Sequence, residues 1–118
     1  MTLKALNPFA PFWYTPREEE GSEHPTRFKI QGLNGEQMGY IAPEFILDPQ
    51  TKAISALTGK GIEVALNFGL VDWENFSNDN GPVMFARSNF GLMPHRLRGE
   101  LAFQVIIASY VAQDAKKT

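Results

Sequence analysis

The sequence predicts an α+β domain, mostly helical, with two or three helices, one or two short strands and an extended N-terminal arm. Three observations predict it. Residues 94–112 are apolar around nearly the whole circumference of a helix, and residues 52–69 are apolar along one side. Four of the eight prolines fall within the first twenty-five residues. A chain of 118 residues fits one domain, with a net stability of ~5–15 kcal/mol. The expected organisation is an arm and acidic spacer over 1–25, a folded domain over 26–112, and a frayed polar tail over 113–118.

In the arm, Pro8, Pro11, Pro16 and Pro25 remove amide donors and push their predecessors toward extended backbone, so no helix is expected. Arg17–His24 is a polar, acidic run. Yet Phe9, Phe12, Trp13 and Tyr14 give the arm more rings than a disordered tail carries. They either cap the domain's own core or dock on a partner as aromatic anchors.

Thr26–Ile30 alternates polar and apolar residues, the mark of a half-buried strand. Asn34 with Gln37 has the spacing of a capping box, while Met38, Tyr40 and Ile41 also suit the return strand of a hairpin. Both readings stay open, and Pro43 ends either element. Asp48-Pro49 marks a turn. Ile54, Leu57, Ile62, Ala65, Leu66 and Leu70 then predict an amphipathic helix over about 52–69, with a break at Thr58-Gly59 and Gly69 at the C′ position.

Asp72–Gly81 is rich in turn-forming residues, and Val83–Phe85 suits a second short strand. Ser88 can cap a single turn, and Pro94 suits the first position of a helix. In that last helix Leu97, Leu101, Val105 and Ala108 form one stripe. Phe103, Ile106, Ile107 and Tyr110 form another beside it. A helix apolar on two sides serves as a central core helix or a subunit interface. The first is favoured, with part of the surface used in self-association.

The net charge is −2 and the sequence pI about 5.6, with no basic stripe to neutralise phosphates, so a nucleic-acid partner is not expected. Absence of cysteine rules out disulfides and thiolate metal sites. The N-terminus lacks the apolar run of a signal peptide, and no segment is long enough to span a membrane. Thr58-Gly59-Lys60-Gly61 lacks the earlier glycine and the following Ser or Thr of a phosphate loop, because Ile54 and Gly61 hold those positions. Gly32, Gly35 and Gly39 fail the dinucleotide spacing. An EF-hand-type loop with Gly81 as its invariant glycine would put Phe76 in the first ligand position. His24 and His95 have no catalytic or zinc pattern around them. The expectation is no enzyme, no cofactor and no metal.

From Thr26 onward the chain resembles the tail-assembly chaperones of long-tailed bacteriophages. The likeness rests first on the opening strand and polar turn Arg27-Phe28-Lys29-Ile30-Gln31-Gly32-Leu33-Asn34-Gly35, then on the amphipathic stretch ending Gly69-Leu70-Val71. It continues through the Trp loop Asp72-Trp73-Glu74-Asn75-Phe76, with Asp79 and Gly81, into Pro82-Val83-Met84-Phe85. Last comes Met93-Pro94 leading into an apolar helix. The resemblance implies a scaffold in tail morphogenesis that coats the tape measure protein and helps recruit tail tube protein. It also implies action in the host cytoplasm and absence from the mature virion. A homo-oligomer is expected, and so is a protein-binding set of Phe9, Phe12, Trp13, Tyr14, Trp73, Phe76, Phe103, Ile106, Ile107 and Tyr110. The family often makes a longer product by frameshifting, for which Ala115-Lys116-Lys117 could be encoded by a slippery run. Alternatives are a head–tail connector, neck or other morphogenesis protein, and a small host-directed inhibitor.

Overall fold

Alternating burial sets Arg27–Ile30 at the centre of a three-stranded antiparallel sheet, with Phe28 and Ile30 wholly inside. The computed structural model describes residues 10–117, with side chains through residue 110. In chain order the elements are β1 (Phe12–Tyr14), β2 (Arg27–Ile30), α1 (Gly35–Ile41), β3 (Phe45–Leu47), β4 (Ile54–Leu57), α2 (Gly59–Gly69), β5 (Leu70–Glu74), β6 (Ser77–Asn78), β7 (Gly81–Pro82) and α3 (His95–Lys117). Short 3-10 turns lie at Arg17–Glu19, Ala42–Glu44 and Arg87–Leu92.

The strands form three antiparallel sheets: β1-β2-β5, β3-β4 and β6-β7. This corrects the expected mostly helical domain with one or two strands. Helix and strand are mixed throughout. Each strand has only two to five residues, too few for a period-of-two pattern to stand out in sequence.

The largest error lies at 52–57. Ile54 and Leu57 are spaced like one face of a helix, but they pair with Leu47 and Phe45 across a hairpin. The Asp48-Pro49 turn closes it: Asp48 Oδ1 accepts from the amides of Gln50 (2.8 Å) and Thr51 (2.9 Å). Lys52 takes a left-handed φ of 63° to bring the chain back. The helix starts only at Gly59, where Thr58 Oγ1 accepts from the Gly61 amide at 3.1 Å.

At Asn34 the helix wins over the return strand. Both capping-box bonds form, Gln37 N–H to Asn34 Oδ1 (2.8 Å) and Asn34 N–H to Gln37 Oε1 (3.0 Å). Val83–Phe85 is not a strand. The Val83 amide donates to Phe76 O (2.8 Å) and its carbonyl accepts from the Trp73 indole (2.8 Å), so its backbone bonds serve the Trp loop.

The core joins β2, α2, β5 and α3 through Phe28, Ile30, Ala65, Leu66, Leu70, Trp73, Leu101, Ala102, Val105 and Ile106. Helices α2 and α3 pack directly on each other, and Gly69 marks their close approach. Gly69 is therefore not a left-handed C′ residue; it is the last residue of α2, and Leu70 caps the helix in extended backbone. Ser109 is 1% exposed, and its hydroxyl accepts from the Leu33 amide (2.7 Å) and donates to Val105 O (2.8 Å). Those two bonds tie the segment between β2 and α1 to α3 and satisfy the buried Ser109 hydroxyl.

Candidate interaction surface

Helix α3 presents two apolar faces with opposite fates. Leu101, Ala102, Val105, Ile106 and Ser109 turn inward, while Phe103, Ile107 and Tyr110 are 36–41% exposed. Positions 103, 107 and 110 are separated by four and three residues, so they form one line along the outside of the helix. Most exposed apolar residues are isolated and call for no explanation. A line of three large ones on a core helix differs from that background.

Strand β1 lies beside this line. Phe12 is opposite Ile30 and Tyr14 opposite Phe28. Directly opposed residues share a face of a sheet, so Phe12 and Tyr14 lie on the side that packs against α3. Tyr14 donates its hydroxyl to Glu100 Oε2 at 2.5 Å, and the Arg17 amide donates to the same oxygen at 3.1 Å. Tyr14, Arg17, Glu18, Arg96, Glu100, Phe103 and Gln104 enclose an open groove of ≈ 500 Å³. The arm thus folds back in part as an edge strand, yet leaves Phe12 42% exposed.

Trp13 points the other way. Its ring faces the Arg27 guanidinium at 5.3 Å and the Lys29 ammonium at 5.7 Å. Arg27 in turn pairs with Glu74 at a solvent-exposed site, so this face is close to neutral and the pair adds at most about 1 kcal/mol.

The other expected binding residues divide sharply. Trp73 is 6% exposed and sits among Phe28, Phe76, Phe85 and Phe90 at ring separations of 4.9–6.1 Å. Ile106 is 3% exposed. Both are core residues and present no surface to a partner. Phe76 is half-buried in the same ring cluster. Phe9 lies outside the described residues. Sequence reasoning missed Glu100 as the anchor of the arm, since a lone glutamate gives no local signal. It also missed Ile46 and Leu47, which are exposed on the β3-β4 hairpin because 54–57 was assigned to a helix.

Partial burial, and then the hydrogen bond to Glu100, push the Tyr14 hydroxyl up from 10.0 to about 12. A tyrosine with a raised value contributes its stabilisation fully below the unfolded value, near pH 10. That contribution fades as pH climbs toward 12. A pH titration of phenolate absorbance should show a step near pH 12 that Tyr14→Phe removes. Arm docking should weaken over the same window.

Among the described residues no group of three or more His, Asp or Glu could hold a metal ion, and no helix is long and apolar enough to cross a membrane. Comparison with protein-family models, curated proteins and solved structures gives no match for this chain.

Proposed function

We propose that this protein is an assembly chaperone of the phage-tail type, which holds the tape measure protein by reversible apolar burial, helps recruit tail tube protein, and makes or breaks no bond. The observation that carries the reading is the outer line of α3, Phe103, Ile107 and Tyr110, exposed on a helix whose opposite face is fixed in the core. A client helix laid along that line gains ~25 cal/mol for each Å² of apolar area covered, with part offset by lost freedom on association. Release is then a matter of competition, which suits a protein that works in the host cytoplasm and leaves before the particle is finished.

Co-expression with a tape measure protein tests it. The wild-type chain should co-purify with that client. Phe103→Asp and Ile107→Asp should fold normally and each weaken the complex by on the order of 2 kcal/mol, about thirtyfold. Unchanged co-purification by both folded variants would remove this surface from the mechanism. Stoichiometric recovery of the protein from finished particles would favour a neck or connector component instead.

A further inference from the structure

Asparagine is followed by glycine twice in the chain, at Asn34-Gly35 and Asn80-Gly81. Asn67, Asn75 and Asn89 each precede a phenylalanine, Asn78 precedes Asp79, and Asn7 precedes a proline. The glycine pairs matter because a backbone nitrogen can attack the side-chain carbonyl carbon of the asparagine before it. Glycine has no Cβ to block that approach. The two pairs sit in opposite surroundings.

Asn34 is locked. As N-cap of α1, its Oδ1 accepts from the Gln37 amide at 2.8 Å, and its own amide donates to Gln37 Oε1 at 3.0 Å. Turning the side chain toward the Gly35 nitrogen breaks the cap. Asn80 is free. It is exposed at the tip of the β6-β7 hairpin, and among the described residues only its backbone amide is bonded, to Asn78 Oδ1 at 2.9 Å. The hairpin behind it pairs only Asn78 with Gly81 and Ser77 with Pro82, and Pro82 has no amide to add. So short a ladder opens locally at little cost. The space around Gly81 is open as well.

We propose that Asn80-Gly81 is a modification site, at which the folded protein converts Asn80 to aspartate and isoaspartate without an enzyme. The Gly81 nitrogen bonds to Asn80 Cγ, the Cγ–Nδ2 bond breaks, and Nδ2 leaves as ammonia with the proton that the Gly81 nitrogen gives up. Water then opens the resulting cyclic imide. Addition at Cγ yields aspartate, and addition at the backbone carbonyl yields isoaspartate, whose main chain is one carbon longer. Both products place a new negative charge beside Asp79. The longer one also shifts Gly81 and Pro82 out of register with Asn78 and Ser77. Val83 comes next, and its carbonyl accepts from the Trp73 indole at 2.8 Å, so the lengthening reaches the buried ring cluster.

The full chain, held folded in mildly alkaline buffer, tests this. Isoaspartyl methyltransferase labelling and peptide mapping by mass spectrometry report conversion at residues 34 and 80 separately. Conversion at Asn34 should be slower by about fivefold or more, the weight of one helix cap. In concentrated urea the cap is gone, and the two rates should converge. Equal rates in the folded chain, or faster conversion at Asn34, would overturn the proposal. So would an Asn80 that stays intact when folded yet converts in urea. N80D adds the charge without the extra carbon and should leave the Trp73 indole proton protected from exchange, whereas the isoaspartyl fraction should lose that protection. Wild-type protection in the isoaspartyl fraction would sever the link from Asn80 to the ring cluster.

Discussion

Leu101→Asp should leave the domain unfolded at room temperature. Leu101 is wholly buried at the centre of α3, in the cluster that joins the helix to β2, α2 and β5. Removing a buried leucine side chain costs ~2–5 kcal/mol, because neighbours collapse only partly into the space. The aspartate adds a further penalty of several kcal/mol, whether as an unpaired buried charge or as a carboxyl protonated far above its ordinary range. Together these match the ~5–15 kcal/mol available to a domain of this size. Phe103→Asp, two residues along, places its carboxylate in water and should cost well under half as much. Urea denaturation followed by circular dichroism separates them. A cooperative transition for Leu101→Asp at the wild-type midpoint would show that the helix faces elsewhere.

That pair of substitutions also marks how far the sequence can be read. Near-continuous apolarity over 101–108 predicts a helix buried on more than one side, whereas the structure buries Leu101, Ala102, Val105 and Ile106 and leaves Phe103 and Ile107 at the surface. Which side faces the core does not follow, since Leu101, Phe103, Ile106 and Ile107 are chemically alike. The face is fixed by remote partners: Gly69 against Val105, and Ser109 against the Leu33 amide. Neither contact has a local signature.

Local chemistry was legible in part. The turn at Asp48 forms as its side chain dictates, while the spacing of Asn34 and Gln37 left helix and return strand open until the two capping-box bonds decided for the helix. Pairing between distant segments was not legible. The register of Phe28 against Trp73 spans many residues and depends on α1, β3, β4 and α2 folding between them. Trp73 shows the same limit for function. A tryptophan in a polar loop looks like a binding anchor, and only the indole bond to Val83 and its ring neighbours reveal a core residue.

Gly69→Ala tests the helix packing on which the outer surface depends. A Cβ built on Gly69 would stand 2.5 and 2.7 Å from the two methyl carbons of Val105 and 3.1 Å from Gln31 O. Val105 is fully buried and β-branched, so it has no low-cost rotamer to retreat into. Gln31 O is backbone, and its residue is held by the bond from its amide to Gly69 O at 2.9 Å. Overpacking of this kind costs ~1–3 kcal/mol, and a stiff neighbour places Gly69→Ala at the upper end. Gly39→Ala is the control. Its site is open, and replacing glycine within a helix should stabilise by roughly 0.5–1 kcal/mol. Adding Val105→Ala to Gly69→Ala should recover part of the loss, a positive coupling that unrelated sites would not show. If Gly69→Ala is as stable as wild type, α2 does not approach α3 at Val105. The rotation of α3 about its axis would then be free to differ, and Phe103, Ile107 and Tyr110 would have no fixed reason to face outward.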